Sequence, residues 1–186
     1  MTNRTLVVSI DALITADIPV LKQLPNLGRV MEHASWITDI ECIYPTLTYP
    51  CHATIATGCW PDRTGINNNE IPDFFAKGRM DWYWWREAIQ VPTVVDFARQ
   101  AGLTASTVTW PVMCASGAEY NIGEIWAPRE EDDPTPWFTR ANSPAVAKIF
   151  EANKHMLRWM KTPQMDEFAA KCAADIIRAH RPDLML

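Results

Sequence analysis

The sequence predicts an α/β fold in which helices flank a mostly parallel sheet. Residues 6–10 (Leu-Val-Val-Ser-Ile) form a continuous apolar run that ends at Asp11, as expected of a buried parallel strand. Residues 92–102 begin with a proline, place apolar side chains on one side and end with a glycine, which predicts a helix. Residues 104–110 then form a β-branched run, which predicts another strand. Strands that alternate with helices in this way are typical of the α/β class.

The region between the first strand and Gly58 has shorter elements. Helices are predicted over residues 18–24 and 27–32, and a strand is predicted over residues 37–43. Two prolines keep residues 44–50 out of a helix interior. Pro50 suits the first turn of a helix predicted over residues 51–57, which Gly58 would end.

In the second half of the chain, residues 113–136 are predicted to be irregular. Helices are predicted over residues 144–160 and 164–180. The last helix would bury one stripe formed by Phe168, Cys172, Ile176 and Ala179. Residues 181–186 have the pattern of a turn that opens another buried strand, and the sequence stops inside that strand. We therefore expect residues 1–186 to be the N-terminal portion of a single longer domain, with a truncated sheet.

Composition and charge narrow the class of protein. Hydrophobic residues make up 48% and charged residues 21% of the chain, which argues against global disorder. The net charge of −5 argues against a grip on a nucleic-acid polymer, because the phosphate backbone requires a basic face. No apolar run approaches the roughly 20 residues of a membrane helix, so no membrane contact is expected. Five cysteines without a CxxC pair indicate a reducing compartment, and we predict a cytoplasmic location.

Two polar residues stand where chemistry could occur. The sequence has no phosphate-binding glycine loop, no HExxH and no GxSxG. Asp11 ends the first strand, at the sheet edge where α/β folds bind ligands, and its carboxylate is a hard ligand for a metal ion. Thr48 precedes a helix, and a threonine hydroxyl becomes nucleophilic where a helix N-terminus and divalent metal ions stabilise its alkoxide. From the residues alone, the alternative is structural: Asp11 could be a strand-end acid that caps a nearby loop, and Thr48 could cap a helix.

Four motifs make a more specific pattern. They are Ser-Ile-Asp-Ala at residues 9–12, Tyr-Pro-Thr-Leu-Thr-Tyr-Pro-Cys-His at 44–52, Thr-Gly-Cys-Trp-Pro-Asp at 57–62 and Gly-Ile-Asn-Asn-Asn at 65–69. Together they resemble the type I phosphodiesterase/nucleotide pyrophosphatase family of the alkaline phosphatase superfamily. One motif alone would be weak, but four in order with matching spacings are specific. The resemblance is dense over residues 7–69 and looser over residues 92–111.

The resemblance implies an alkaline-phosphatase-like fold and hydrolysis of phosphodiester or pyrophosphate bonds in small, nucleotide-like phosphorylated substrates. It implies two divalent metal ions, zinc in this family, with Asp11 and Thr48 among their ligands. Thr48 matches the nucleophile, which forms a phosphoryl-threonine intermediate. Asn69 matches an asparagine whose amide donates to a phosphoryl oxygen, and Tyr49 matches an aromatic residue that stacks on a nucleobase. The sequence departs from the family pattern at Cys51, where asparagine is more common.

The family's other metal ligands are aspartates and histidines of later strands. None of the four histidines of this sequence matches such a position, so we expect an incomplete metal site and no activity from these residues alone. Two other branches of the superfamily remain as alternatives, a phosphonate hydrolase and a phosphomonoesterase. A binding module that kept the fold without catalysis is the alternative from another class.

Aromatic residues are dense in the middle of the chain. The run Trp-Tyr-Trp-Trp at residues 82–85 could line a substrate cleft, form a protein contact or be buried. Trp110 and Trp126 are further candidates for a pocket wall. His52, one turn into the helix, is predicted to be a structural hydrogen-bonding residue.

Overall fold

The fold contains a parallel sheet, as predicted. A computed structural model describes residues 4–38, 40–72, 81–127, 129, 131–158 and 161–186. Its strands are β1 (Thr5–Leu6), β2 (Ala105–Val108), β3 (Tyr120–Ile122) and β4 (Leu184–Met185). Their order in the sheet is β1-β4-β2-β3, and the pairings between them are all parallel. The last strand of the chain therefore inserts between β1 and β2, and the α/β class is confirmed.

The chain divides into two units, Val8–Cys42 and a larger unit made of Met1–Val7 and Ile43–Leu186. The unit Val8–Cys42 contains two short helices, α1 (Ile18–Leu21) and α2 (Pro25–Met31), close to the two that the sequence predicts. A Cβ atom at Gly28 would collide with the carbonyl oxygen of Lys22, so this close approach of two backbones requires a glycine.

The larger unit contains most of the helices and all four strands. Its α-helices in the described ranges are α3 (Thr48–Thr57), α4 (Pro61–Thr64), α5 (Val94–Gln100), α6 (Thr135–Ala141), α7 (Ala147–Asn153) and α8 (Gln164–His180). Short 3-10 turns occupy Arg86–Ala88, Pro144–Val146 and Lys154–Met156. No helix among the described residues is long and apolar enough to cross a membrane.

One part of the core is formed by α8, and another by α3 and α5. Phe168, Cys172 and Ile176 are all 0% exposed, which confirms three members of the stripe predicted for α8. The fourth, Ala179, is exposed because it lies in the last turn of the helix, beyond the core. Residues 184–186 are buried, as predicted for a strand at this point, because β4 has neighbours on both sides.

Two strand predictions near the N-terminus are wrong in extent. Of the strand predicted over residues 6–10, only Leu6 belongs to β1, and Val8 is 68% exposed. Among the described residues, β1 pairs with the two-residue β4 and with no other strand, so its ladder is short. The described residues of 37–43 form no strand, since loose alternation without a paired neighbour does not make a sheet. Asp39, within that predicted strand, lies outside the described residues.

Residues 113–136, predicted to be irregular, contain β3 and the first two residues of α6. The sequence of β3 is Tyr-Asn-Ile, whose central Asn121 is polar although the residue is 1% exposed. Asn121 is tolerated there because both polar atoms of its side chain are hydrogen-bonded. The Thr107 hydroxyl donates to Oδ1 of Asn121, and Nδ2 of Asn121 donates to the backbone carbonyl oxygen of Ala141 at 2.6 Å. A buried strand built around a satisfied asparagine has no hydrophobic signature, which is why the pattern missed it.

The helix predicted over residues 144–160 is interrupted on both sides of α7. The buried Asn153 ends α7, and its Nδ2 donates to the carbonyl oxygen of Ile149 at 2.9 Å and to Asp175 at 3.1 Å. A side chain that bonds to its own helix backbone competes with continuation of the helix. Residues 159 and 160 lie outside the described residues.

The helix predicted over residues 92–102 forms as α5, and its start is fixed by a capping box. Thr93 is the N-cap, and the carboxylate of Asp96 accepts from the backbone N–H of Thr93 at 2.7 Å and from its hydroxyl at 2.8 Å. The same oxygen accepts from Arg86 at 2.6 Å. Burial by itself raises the pKa of Asp96, but the bonds from Arg86 and Thr93 outweigh burial and hold that pKa below its usual value.

Asp96→Asn should lower the free energy of unfolding at pH 7 by about 1.5–3 kcal/mol, because an ionised acceptor of three hydrogen bonds is lost. The pKa of Asp96 is depressed in the folded state, so its stabilisation is present above the unfolded pKa and is lost as pH falls through the folded pKa. Urea unfolding across this acidic range should show the difference between wild type and variant disappearing.

Asp166→Asn is the matched control, because Asp166 is exposed in the first turn of α8. Its charge interacts with the helix dipole alone, so the expected loss is about 0.3–1 kcal/mol. Equal losses in the two variants would show that the hydrogen bonds of Asp96 add nothing to stability.

Candidate active site

Thr48 is the first residue of α3, which begins three residues earlier than predicted. Leu47 is the N-cap, with extended backbone angles, and it provides no side-chain cap. Thr48 is therefore not the N-cap, and no hydrogen bond recorded among the described residues uses its hydroxyl. Pro50 falls in the first turn, where a missing N–H has no cost, and Gly58 ends the helix with a φ of 66°, as predicted.

The start of α3 offers a positive electrostatic environment to the Thr48 hydroxyl. Helix N-termini carry unpaired N–H groups and the positive end of the helix dipole, and both favour an anion. In this helix the N–H of Tyr49 donates to Asn69, and that of Cys51 donates to the carbonyl oxygen of Leu47 at 3.0 Å. The arrangement places a hydroxyl where negative charge is stabilised.

Asn69 lies against the first turn of α3. Its Oδ1 accepts from the backbone N–H of Tyr49 at 3.0 Å, and its own N–H donates to the side chain of Asn68 at 2.8 Å. The backbone carbonyl of Asn69 accepts from the N–H of Tyr83 at 3.0 Å. The structure thus brings Asn69, and not its two neighbours in the Asn-Asn-Asn run, into contact with the residue after Thr48. Because Oδ1 faces the helix, the amide keeps Nδ2 as a donor for another group.

Tyr49 is buried, with 0% exposure. Its ring packs edge-on against Trp82 and Trp84, with centroid separations of 5.3 and 6.1 Å. Its hydroxyl donates to Oε2 of Glu124 at 3.0 Å. Burial, followed by the negative charge and hydrogen bond of Glu124, raises the pKa of Tyr49 far above its usual value, so the hydroxyl stays protonated. The ring presents no open face to a nucleobase, and its stacking role stays a prediction that this arrangement does not support.

The tryptophan run packs against Tyr49 and into the core. Trp82 and Trp84 stack at 5.4 Å with an interplanar angle of 12°, and Trp84 is 6% exposed. The indole N–H of Trp84 donates to Asp81 at 2.9 Å. Trp126 meets the ring of Trp84 edge-on at 6.5 Å. For Trp84 the structure shows burial, while Trp82 stays half-buried.

His52 makes the structural contacts expected of it. Its Nδ1 lies 2.7 Å from the carbonyl oxygen of Thr48, one turn back along α3. Its ring packs edge-on against Trp110 at 5.1 Å, and the indole N–H of Trp110 donates to the carbonyl oxygen of His52 at 3.3 Å. Trp110 is 4% exposed, so it supports the helix from the core side.

Trp110 belongs to a strained loop that follows β2. Three residues of this loop that are not glycine have positive φ angles: Thr109 at 47°, Val112 at 61° and Ala115 at 53°. Such angles are costly for β-branched side chains and concentrate at functional sites. Backbone hydrogen bonds maintain the conformation, including Thr109 N–H to Ile122 at 2.8 Å. The strained loop follows β2 in the sequence and contacts α3, the helix that carries Thr48, through Trp110.

Glu124 is a site residue that the sequence analysis did not identify. It follows β3 by two residues, so it lies at the carboxyl end of a parallel strand, where α/β folds place functional groups. Its backbone carbonyl accepts from the thiol of Cys114 at 3.1 Å. An acidic residue directly after a strand would have indicated Glu124 as a candidate, but β3 itself was not predicted from the sequence.

The buried cysteines are unreactive thiols. Burial raises the pKa of Cys114 far above its usual value and that of Cys172 to about 12. Both groups therefore stay protonated at neutral pH, and the thiolate is the reactive form. Cys114 acts instead as a hydrogen-bond donor behind Glu124.

Asp11 belongs to the unit Val8–Cys42, whereas Thr48, Tyr49 and Asn69 belong to the larger unit. It is exposed. A shared metal ion between Asp11 and Thr48 therefore stays a prediction. Within the described ranges, no group of three or more histidine, cysteine, aspartate or glutamate side chains could hold a metal ion. Since a catalytic zinc takes three protein ligands, these residues do not make up a zinc site.

Comparison with known proteins gives a family match over nearly the whole chain. A model described as "Type I phosphodiesterase / nucleotide pyrophosphatase" matches residues 5–186. Human ectonucleotide pyrophosphatase/phosphodiesterase family member 1 is 28% identical over 112 residues, which cover 55% of this chain and 11% of that protein. Human bis(5'-adenosyl)-triphosphatase ENPP4 is 27% identical over 114 residues, covering 58% and 24%. Venom phosphodiesterase 2 of Crotalus adamanteus is 26% identical over 151 residues, covering 76% and 16%.

A solved structure shares the fold. Phosphonoacetate hydrolase from Sinorhizobium meliloti 1021, in complex with phosphonoacetate, superposes with a TM-score of 0.65 at 18% identity. The match covers 99% of this chain and 45% of that one. At this identity the likeness shows the fold alone, and it confirms the predicted alkaline-phosphatase-like architecture. The chain spans less than a quarter of each curated relative named above.

Gly123, just before Glu124, is packed closely against Cys114 and Ala141. A Cβ atom there would lie 2.7 Å from Sγ of Cys114 and 2.8 Å from Cβ of Ala141. Gly123→Ala should lower the free energy of unfolding by about 1–3 kcal/mol, the usual cost of overpacking.

A double-mutant cycle with Cys114→Ala identifies the cause of that loss. Removing Sγ should reduce the cost of Gly123→Ala, with a coupling of about 0.5–3 kcal/mol in denaturant unfolding. Strict additivity of the two losses would contradict the predicted contact.

Proposed function

We propose a function for this protein from one premise: the chain belongs to the type I phosphodiesterase/nucleotide pyrophosphatase family. The function that the site supports best is hydrolysis of phosphodiester or pyrophosphate bonds in small, nucleotide-like phosphorylated substrates. Thr48 is the proposed nucleophile, and Asn69 donates to a phosphoryl oxygen. The observation that supports this most is the Thr48 hydroxyl at the first position of α3, with Asn69 bonded to the next residue.

The proposed reaction has two displacements at phosphorus. In the first, the Thr48 hydroxyl gives up its proton to solvent and Oγ1 forms a bond to phosphorus while the bond to the leaving oxygen breaks. This gives a phosphoryl-threonine, and the leaving oxygen takes up a proton from solvent. In the second, water attacks phosphorus, the threonine oxygen leaves and takes up a proton, and the phosphate product is released. Negative charge on the non-bridging oxygens would be stabilised by Nδ2 of Asn69 and by the start of α3.

The helix end alone does not suffice to activate the hydroxyl. A helix dipole contributes about 0.3–1 kcal/mol at an exposed site, whereas each unit of pKa corresponds to about 1.4 kcal/mol. We therefore include two divalent metal ions, zinc by family resemblance, with Asp11 and Thr48 as ligands and others from elsewhere. Bound there, such ions would favour the deprotonated hydroxyl and the departing oxygen.

Several features support the remaining parts of the proposal. A cytoplasmic location is supported by the free thiols of Cys59, Cys114 and Cys172. A small substrate, and not a nucleic-acid polymer, is supported by the net charge of −5. The 45% coverage of the phosphonoacetate hydrolase chain supports the proposal that residues 1–186 are the N-terminal portion of one larger domain.

In the full-length protein, Thr48→Ala should lower kcat/KM on a nucleotide diester by a factor of roughly 10⁴ or more, because the nucleophile is removed. Thr48→Ser should keep part of the activity, and rapid quenching followed by mass spectrometry should find the phosphorylated residue at position 48. The matched control is Thr57→Ala at the other end of α3, where the hydroxyl donates to the carbonyl oxygen of Ala53 at 2.7 Å. Activity in Thr48→Ala close to that of Thr57→Ala would reject Thr48 as the nucleophile.

A comparison of three substrate classes separates the proposal from its alternatives. With equal concentrations of a nucleotide diester, a phosphate monoester and phosphonoacetate, the diester should be hydrolysed fastest. Preference for the monoester or the phosphonate would favour another branch of the superfamily. Binding of the diester without turnover, measured by calorimetry and product analysis with zinc present, would favour a non-catalytic binding module.

A further inference from the structure

Residue 49 is fixed at both its backbone and its side chain by residues far away in the sequence. Its N–H donates to Oδ1 of Asn69, and its hydroxyl donates to Oε2 of Glu124, each at 3.0 Å. The ring between these two bonds is fully buried against Trp82 and Trp84. The residue directly after Thr48 therefore has little freedom to translate or rotate.

Glu124 is itself well anchored. It follows β3, whose register with β2 is set by parallel pairing, including Val108 with Ile122. The thiol of Cys114 donates to the carbonyl oxygen of Glu124 at 3.1 Å, and the next residue, Ile125, is 3% exposed. The Tyr49–Glu124 bond thus connects the start of α3 to the sheet across 75 residues of sequence.

The start of α3 relies on such outside contacts because it has no side-chain cap. Leu47 makes no side-chain cap, and Pro50 removes one of the N–H groups that could bond within the first turn. The bonds of Cys51 to Leu47 and of His52 to Thr48 lie within the helix, so the contacts of Tyr49 are what tie the first turn, and Thr48 with it, to the rest of the fold.

We propose that Glu124 and Tyr49 are positioning residues for Thr48, an inference that rests on the proposed function. In this role neither side chain contacts the substrate, and Tyr49 stays buried instead of stacking on a base. Their hydrogen bond fixes the first turn of α3, so that Oγ1 of Thr48 is aligned with the phosphorus atom before attack. Misplacement of a reacting group by about 1 Å can cost on the order of a hundredfold in rate, so loss of this bond affects the chemical step more than substrate binding.

Three variants test the pair in the full-length protein, with a nucleotide diester as substrate and zinc present. Tyr49→Phe keeps the ring and its packing but removes the donor, and Glu124→Ala removes the acceptor. Each should lower kcat by roughly 10- to 100-fold while KM changes little, and the double variant should be no slower than either single one. Glu124→Gln keeps an acceptor oxygen, so its kcat should return close to that of the wild type.

Glu119→Ala is the matched control at the other end of β3. Glu119 accepts from the N–H of Ala105 at 2.9 Å and from Arg99 at 3.0 Å, so its loss should lower the melting temperature without changing kcat. If Tyr49→Phe and Glu124→Ala behave in the same way as Glu119→Ala, the pair is structural and the proposal fails.

Hydrogen exchange gives a readout that does not depend on activity. Amides of the first turn of α3 should exchange on the order of tenfold faster in Tyr49→Phe and Glu124→Ala, and at an unchanged rate in Glu119→Ala. Unchanged exchange in Tyr49→Phe overturns the positioning role whether or not the protein is active. Thr48→Ala tests the proposed function separately. If Thr48→Ala is inactive while Tyr49→Phe is fully active, Thr48 remains the proposed nucleophile and only the positioning pair is rejected.

Discussion

The buried side chain of Tyr49 is the contact on which the geometry of the candidate site depends. Burying a hydroxyl without a hydrogen-bond partner costs about 1–3 kcal/mol, so the ring can stay in the core only while its hydroxyl meets Glu124. The backbone N–H of the same residue meets Asn69. These two hydrogen bonds bring the loop of Asn69 and the end of β3 to the start of α3. They constrain the position of Thr48, the residue before Tyr49.

The parallel sheet explains why these groups can meet. Carboxyl ends of parallel strands lie on the same edge, so the segments that follow β2 and β3 leave the sheet side by side. The segment after β2 contains the strained loop and supports α3 through Trp110 and the carbonyl oxygen of His52. The segment after β3 supplies Glu124 to Tyr49. Support for α3 from two adjacent strand ends fixes both the axis and the first turn of the helix.

The sequence predicted those parts of the fold whose signal is local and hydrophobic. The apolar stripe of α8 and the run 184–186 were visible because each pattern matches the burial that results. β3 was not visible, since Asn121 is stabilised by partners distant in the sequence, and Glu124 was missed with it. The two motifs that contain Thr48 and Asn69 were found by family resemblance, but the contact between them through Tyr49 could not be deduced, because a hydrogen bond across 20 residues depends on the folded chain.

The burial of Tyr49 also bears on how a substrate would be recognised. Stacking of a base on an aromatic ring contributes about 1–3 kcal/mol. Freeing this ring for a base would break its bond to Glu124 and its edge contacts with Trp82 and Trp84, each aromatic pair being worth about 0.5–1.5 kcal/mol. Together with the exposure of the apolar ring, these losses equal or exceed the gain, so the ring is more stable in the core. Under the proposed function, recognition at the start of α3 would then fall to the amide of Asn69 and the helix N-terminus, which would bind phosphate, and a base would have to be bound by other side chains.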